Sequence, residues 1–351
     1  MTDRRRINGP PGGTSAPVFL SSLTTTNASA DGPVRTRNRN ELRKIFLKTG
    51  LTPSASGSAY YELEPSVTVN AGGKSLISSS SALKLTCTVH GPRPLPRSTP
   101  FTPHILLSTH VKFAPFAARQ RRGYLRDAGE RDLAVHLETA LRGVIIGDRW
   151  PKSGVEVIIT VLEGEEDRWW GNGADQRATG GWGMMTILAG CITVASAAIV
   201  DAGIDCVDLV SGGVAAIVRE SAEANREQQR RPVPNTKPSN TDLQLVIDPC
   251  PSEHRQMVAA CVIGYLQSRD EITELWAKGD IHSPISSRLS TQISFDDLVD
   301  RSIEAAVGTR MVLTEAVREC TELKTQRSKF SLKNHTSTEA KGSTEDMEVV
   351  T

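Results

Sequence analysis

A chain of 351 residues, 38% of them hydrophobic, is long enough to bury a full core as one large domain or two small ones. Its 41 Lys and Arg and 40 Asp and Glu leave a net charge of +1, so any attraction to nucleic acid has to come from local patches. The six cysteines (Cys87, Cys191, Cys206, Cys250, Cys261 and Cys320) form no CxxC pair and lie mostly in apolar segments, which reads as free thiols in a reducing compartment. Cys250 and His254 have no second ligand pair at suitable spacing, so no metal site is expected.

Residues 1–34 are rich in Gly, Pro, Ser, Thr and Asn and read as a disordered N-terminal extension. Arg4, Arg5 and Arg6 precede no apolar stretch, so no signal peptide is expected, and a solvated tail is the favoured reading over a nucleic-acid contact. Order is expected from Arg35 to about 324. The run 35–44 is basic, with Arg35, Arg37, Arg39, Arg43 and Lys44 against a single Glu41. A strand then opens at Gly57, and the Gly/Ser-rich segment 71–82 reads as a loop insertion. Leu83, Leu85, Cys87 and Val89 alternate with polar residues, a half-buried strand that His90-Gly91-Pro92 should end. A proline-rich loop (92–103) leads to a strand from Ile105 to Phe113.

Residues 111–126 hold Lys112, Arg119, Arg121, Arg122 and Arg126, a basic patch without an acidic residue of its own. Asp127 to Val144 has helical periodicity, and Val155, Val157, Ile159 and Val161 alternate as a strand. The polar loop 163–180 contains Trp169 and Trp170. Then comes the longest apolar run, Thr186–Val200, opened by Gly181-Trp182-Gly183. At about 15 residues it falls short of the ~20 that span a bilayer, so it reads as a buried central helix. Its many small residues suit close packing against a sheet. A strand follows at 211–218, then a Pro-containing insertion at 219–240, a strand around Leu243–Ile247, and a hairpin turning at Ser268-Arg269-Asp270. Ser294 and Asp297 resemble a capping box for a last helix to about Leu323, and 325–351 reads as a disordered tail.

Taken together, several segments resemble the ribonuclease PH family. RNRNELRKIFLKTGL and GSAYYELEPSVTV are similar to that family's opening turn and strand, and LKLTCTVHGP to the strand ending in its V-x-G-P turn. FAPFAARQRR with RDLAVHLETALRGVI is similar to its arginine-bearing loop and first long helix. DAGIDCVDLVSGGVAAIV and LQLVIDPCPSE match later segments, all in order over about 35–280. The resemblance implies an α+β ribonuclease PH-like fold (ribosomal protein S5 domain 2-like), strand-rich sheets packed with two long helices. Within the family the chain is most similar to non-catalytic subunits of the eukaryotic exosome ring, of a fungal kind.

What the family needs for phosphorolysis is missing at the matching positions. Active members carry G-T-R/S at the start of the central helix, with the arginine on phosphate. Here the positions are Gly181, Trp182 and Gly183. Asp248 and Glu253 match the acidic segment, but His254 stands where the second carboxylate belongs. The resemblance therefore implies no catalytic residues, no cofactor and no metal of its own. An active phosphate-dependent 3′–5′ exoribonuclease is the alternative. No P-loop and no G-x-S-x-G elbow is present. The implied partners are other ribonuclease PH-like subunits of a hetero-hexameric ring, S1/KH cap subunits and single-stranded RNA, and the implied residence is nucleus, including nucleolus, and cytoplasm. Arg119, Arg121, Arg122 and Arg126 are candidate phosphate contacts to RNA, weighed evenly against pairing with acids such as Asp127, Glu130 and Asp132. Trp169 and Trp170 are candidate subunit-interface anchors, against a role in the domain's own core.

Overall fold

The computed structural model describes residues 35, 37–65, 82–118, 127–165, 181–220, 242–254, 256–279 and 293–345. The expected N-terminal extension 1–34, all of the loop 71–82 except Ala82, and nearly all of the insertion 219–240 lie outside them.

Among the described residues nine strands and three long helices follow one another as β1 (Ile45–Thr49), β2 (Gly57–Leu63), β3 (Leu83–Pro94), β4 (Leu106–Phe113), α1 (Ala128–Arg142), β5 (Ser153–Glu163), α2 (Gly183–Asp201), β6 (Val210–Glu220), β7 (Asp242–Ile247), β8 (Met257–Leu266), β9 (Glu271–Gly279) and α3 (Phe295–Glu345). The first sheet has the order β1-β2-β3-β5-β4 and the second β7-β6-β8-β9. Pairing is antiparallel throughout, except that β4 runs parallel to β5, with α1 in the connection between them.

The layers follow from the hydrophobic patterns. Alternation in β3 puts Leu83, Leu85, Cys87 and Val89 inward, and β5 presents Val155, Val157, Ile159 and Val161 beside them; all are buried. α2 is apolar on all sides because it has a sheet on each side. On one side Gly190 lies under Leu85, whose Cδ1 would stand 2.7 Å from an added Cβ. On the other, a Cβ on Gly212 of β6 would stand 2.2 Å from the Ala189 carbonyl oxygen of α2. α1 lies in the same middle layer and α3 covers the outer face of the second sheet, where Leu298 and Ala306 are buried against Ala215, Ile217, Ala259 and Ile263. The two long helices implied by the family are thus sandwiched between the sheets, and α3 adds a fourth layer.

α1 starts at a reciprocal cap: the Asp127 side chain accepts from the helix's first turn, and Glu130 Oε2 accepts from the Asp127 N–H at 3.1 Å. At α3 the Ser294 N–H donates to Asp297 Oδ2 at 2.8 Å. Two boundaries differ from the sequence reading. β3 does not stop at His90-Gly91-Pro92: a register shift absorbs these residues, and Arg93 and Pro94 pair again with Gly154 and Ser153 of β5. The last helix continues past Leu323 to Glu345, and no proline interrupts the chain over that stretch.

Candidate functional site

Three element ends converge around one buried arginine. Arg43 precedes β1, Glu165 follows β5, and Asp248 follows β7 with φ at 49°. All three are buried. The Arg43 guanidinium donates from Nη1 and Nη2 to the two oxygens of Glu165 at 2.9 and 3.2 Å, and from Nε and Nη2 to the two oxygens of Asp248 at 2.9 and 2.8 Å. The Arg43 backbone N–H adds a third bond to Asp248 Oδ2 at 2.9 Å. Such fork-to-fork pairing is the geometry that best compensates buried charge.

Two more arginines of the same basic run close over this core. Arg37 Nη2 donates to Glu253 Oε2 at 2.8 Å, and its Nη1 stands 3.8 Å from Asp248 Oδ2. Arg35 caps backbone instead, donating to the carbonyls of Ile247 at 3.0 Å and Asp248 at 3.1 Å, and to those of Asn38 and Glu41. Two guanidinium groups therefore meet three carboxylates, and a third caps the backbone beside them.

The protonation states follow. Burial opposes ionisation of Asp248, but the Arg43 charge and hydrogen bonds, with Arg37 behind them, win and hold its carboxyl well below the usual carboxylate range. Burial likewise opposes the Arg43 charge, but Asp248 and Glu165 outweigh it and hold the guanidinium protonated. For Glu253 burial outweighs Arg37 and raises the pKa. Burial and the nearby Arg37 bring Arg35 down to about 10. His254 falls to about 4, through burial first and then repulsion from Arg35 and Arg37; its Nε2 is enclosed without a hydrogen-bond partner. The imidazole is neutral near pH 7.

The start of α2 completes the site. Gly181 has φ at +57° and Trp182 is the helix N-cap, with no side-chain capping bond. Lys278 of β9 brings its Nζ to 5.5 Å from the Trp182 ring centroid, and a Cβ on Gly181 would lie 3.1 Å from that nitrogen. Thr186 in the first turns of α2 donates from Oγ1 to the Pro249 carbonyl at 3.5 Å, which ties the acidic loop to the helix. Among the described residues no group of three His, Cys, Asp or Glu side chains is placed to hold a metal ion.

Gly181, Trp182, Gly183, Asp248, Glu253 and His254 are thus brought to one region by α2 and the loop after β7. Arg119, Arg121, Arg122, Arg126, Trp169 and Trp170 lie outside the described residues. Glu130, weighed above as a partner of the basic patch, accepts from the Phe113 N–H at 3.0 Å and from Lys112 Nζ at 3.2 Å in addition to its capping bond. The sequence reading missed Arg37, Arg43, Glu165 and Lys278. The basic run 35–44 was visible, but its carboxylate partners lie 122 to 216 residues away in the chain.

Residues 41–205 match the family model "3' exoribonuclease family, domain 1", RNase PH. The chain is 50% identical over 319 residues to the Exosome complex component MTR3 of Chaetomium thermophilum, covering 91% of this chain and 99% of that one. It is 30% identical over 321 residues to the mtr3 component of Schizosaccharomyces pombe, covering 90% and 96%. Among solved structures, rice (Oryza sativa) Rrp46 superposes with a TM-score of 0.53 at 15% identity, covering 81% of this chain and 98% of that one, a likeness of fold. The chain belongs to the RNase PH (3′ exoribonuclease) family, among its exosome-component relatives of the MTR3 kind.

Proposed function

We propose that the chain is a non-catalytic structural subunit of the RNA exosome core ring, supporting 3′-to-5′ RNA processing and degradation. The observation that carries the loss of catalysis is the fate of the acidic residues. Asp248 is saturated by Arg43 and Glu253 is held by Arg37, so neither is free to move a proton or hold a metal on a substrate. Trp182, the N-cap of α2, stands where the resemblance puts the phosphate arginine's loop of active members, and a helix terminus alone contributes ~1 kcal/mol or less toward an anion. The 50% identity to an MTR3 component over nearly the whole chain supports the exosome assignment. Its partners are then other ribonuclease PH-like subunits, S1/KH subunits and the RNA they process, in nucleus and cytoplasm.

Residues 35–324 form the ribonuclease PH-like domain in this reading. Arg119, Arg121, Arg122 and Arg126 contact RNA phosphates without base preference, and Trp169 and Trp170 serve subunit contacts. The test is a phosphate-dependent RNA degradation assay on the purified chain, alone and mixed with ring partners, with the mixture run on a sizing column. The expected result is no nucleoside diphosphate from the chain alone, and co-elution in a large complex. Nucleoside diphosphate released by the isolated chain would overturn the non-catalytic reading.

A further inference from the structure

Three nitrogens at the edge of the ion cluster have no partner within the chain. Among the described residues seven buried side-chain nitrogen and oxygen atoms lack a hydrogen bond, and three of them, Arg35 Nε, Arg37 Nε and His254 Nε2, fall on two segments that lie together. Buried polar atoms are nearly always served, so three in one place call for a cause. The segments are joined through the backbone. The Ile247 N–H donates to the Arg39 carbonyl at 2.9 Å, and Arg35 Nη2 donates to the carbonyls of Asn38 at 2.9 Å and Ile247 at 3.0 Å. Arg37 is drawn to the far end of the same loop by Glu253 at 2.8 Å, and His254 is the next residue.

Charge is unevenly spent along this contact. Arg43 takes both Glu165 and Asp248, and Arg37 takes Glu253. Arg35 bonds only carbonyl oxygens. Arg39 is exposed, and its side chain makes no bond among the described residues. Two guanidinium groups of the run therefore have no carboxylate of their own. The repulsion from Arg35 and Arg37 that helps keep His254 neutral reports positive potential at the ring. An arginine Nε–H can only donate, and a neutral imidazole can donate from Nε2. Three such donors in a positive field suit an oxyanion, with several acceptor atoms and a negative charge. The nitrogens are enclosed, while His254 is half-buried and Arg39 exposed. The occupant is thus a small ion or a chain-terminal group that enters as the imidazole turns, not the interior of a polymer.

We propose that Arg35, Arg37 and His254 bind a phosphate group, either orthophosphate or the phosphate monoester at the end of a nucleic acid chain, with Arg39 at the mouth of the site. None of these donors comes from Gly181–Gly183 or from the run 119–126. The site therefore differs in its residues from the phosphate position that the family resemblance implies, and it requires no catalysis and no partner subunit.

The experiment takes the full chain in chloride buffer near pH 7 and adds sodium phosphate at constant ionic strength. Melting temperature and the His254 imidazole resonances are followed for wild type, H254Q and R39A; folding of the variants is checked in chloride alone. Phosphate should raise the wild-type melting temperature, and it should raise the pH at which His254 protonates, because a bound anion favours the imidazolium. H254Q should need about tenfold more phosphate for the same stabilisation, and R39A a smaller excess. Oligouridylates with and without a 5′-phosphate separate the sources. Displacement of phosphate by the phosphorylated oligomer alone assigns the chain end, and displacement by neither assigns orthophosphate. Displacement by both alike would overturn the enclosed site. No response to phosphate, an equal response to chloride, or a response that H254Q keeps unchanged would overturn the proposal as well.

Discussion

At Asp248 the backbone sits in the left-handed region, with φ at 49°, which aspartate tolerates better than most residues, and both carboxylate oxygens accept from Arg43. Replacing it by the nearly isosteric asparagine keeps the volume but leaves Arg43 with half its compensation. D248N should therefore lose about 3–5 kcal/mol of unfolding free energy, the size seen when one partner of a buried pair is removed. Chemical denaturation checks this, and a loss below 1 kcal/mol would show that the network relaxes onto Glu165. The same site fixes an acid response. Asp248 has a depressed folded pKa, so its contribution is present above the unfolded value of 3.8 and is lost as pH falls through the still lower folded one. His254 acts at milder pH. Its folded value of about 4 lies below the unfolded 6.5, so stability is full above 6.5 and declines between 6.5 and 4. Glu253, raised by burial, has the opposite sign and cannot produce that decline. H254Q should flatten the melting temperature against pH between 6.5 and 4, removing a drop on the order of 2–3 kcal/mol. An unchanged profile would assign the decline to other groups.

Among the elements, β6 shows how closely the layers are set. Successive residues of a strand face opposite sides, and the pair Gly212-Gly213 uses both. A Cβ on Gly212 would stand 2.2 Å from the Ala189 carbonyl oxygen of α2, and one on Gly213 would stand 2.2 Å from the Ser302 carbonyl oxygen of α3. Both obstacles are backbone, so neither helix can yield by turning a side chain. G212A and G213A should each cost more than the 1–3 kcal/mol of ordinary overpacking, read as a lower melting temperature or as loss of soluble protein. Melting temperatures within a degree or two of wild type would mean the helices shift outward freely. The sequence made the helix partner of this contact legible, since Ala189, Gly190, Ala195, Ala197 and Ala198 announce close approach in a run too apolar to lie on a surface. The alternation in β3 and β5 was equally direct. The ion cluster was not, because local patterns carry no information about which distant carboxylate a buried arginine will meet. The loop after β7 became readable only through family motifs, and the length of α3 depended on absent breakers rather than on any positive signal.

For the whole molecule, the consequence of a helix shared by two sheets is cooperativity. The main cluster of buried residues joins the inner face of the first sheet, α1, α2, β6 and β8, and takes in Leu313 from α3. The smaller cluster lies between the outer face of the second sheet and the first half of α3. Ile192, fully buried on α2, has its Cδ1 3.6 Å from where a Cβ on Gly264 of β8 would stand, so it belongs to the second sheet's floor, while Gly190 two residues earlier touches the first. Neither sheet can lose α2 without exposing a full apolar face. I192A should cost about 2–5 kcal/mol and still unfold in one transition, with amide exchange rising equally in β3 and β8. L298A, on the smaller cluster, should cost a similar amount, but exchange should rise first along the early turns of α3 while β3 stays protected. A two-step melt of I192A, with one sheet surviving the other, would show two independent cores and refute the shared-helix account.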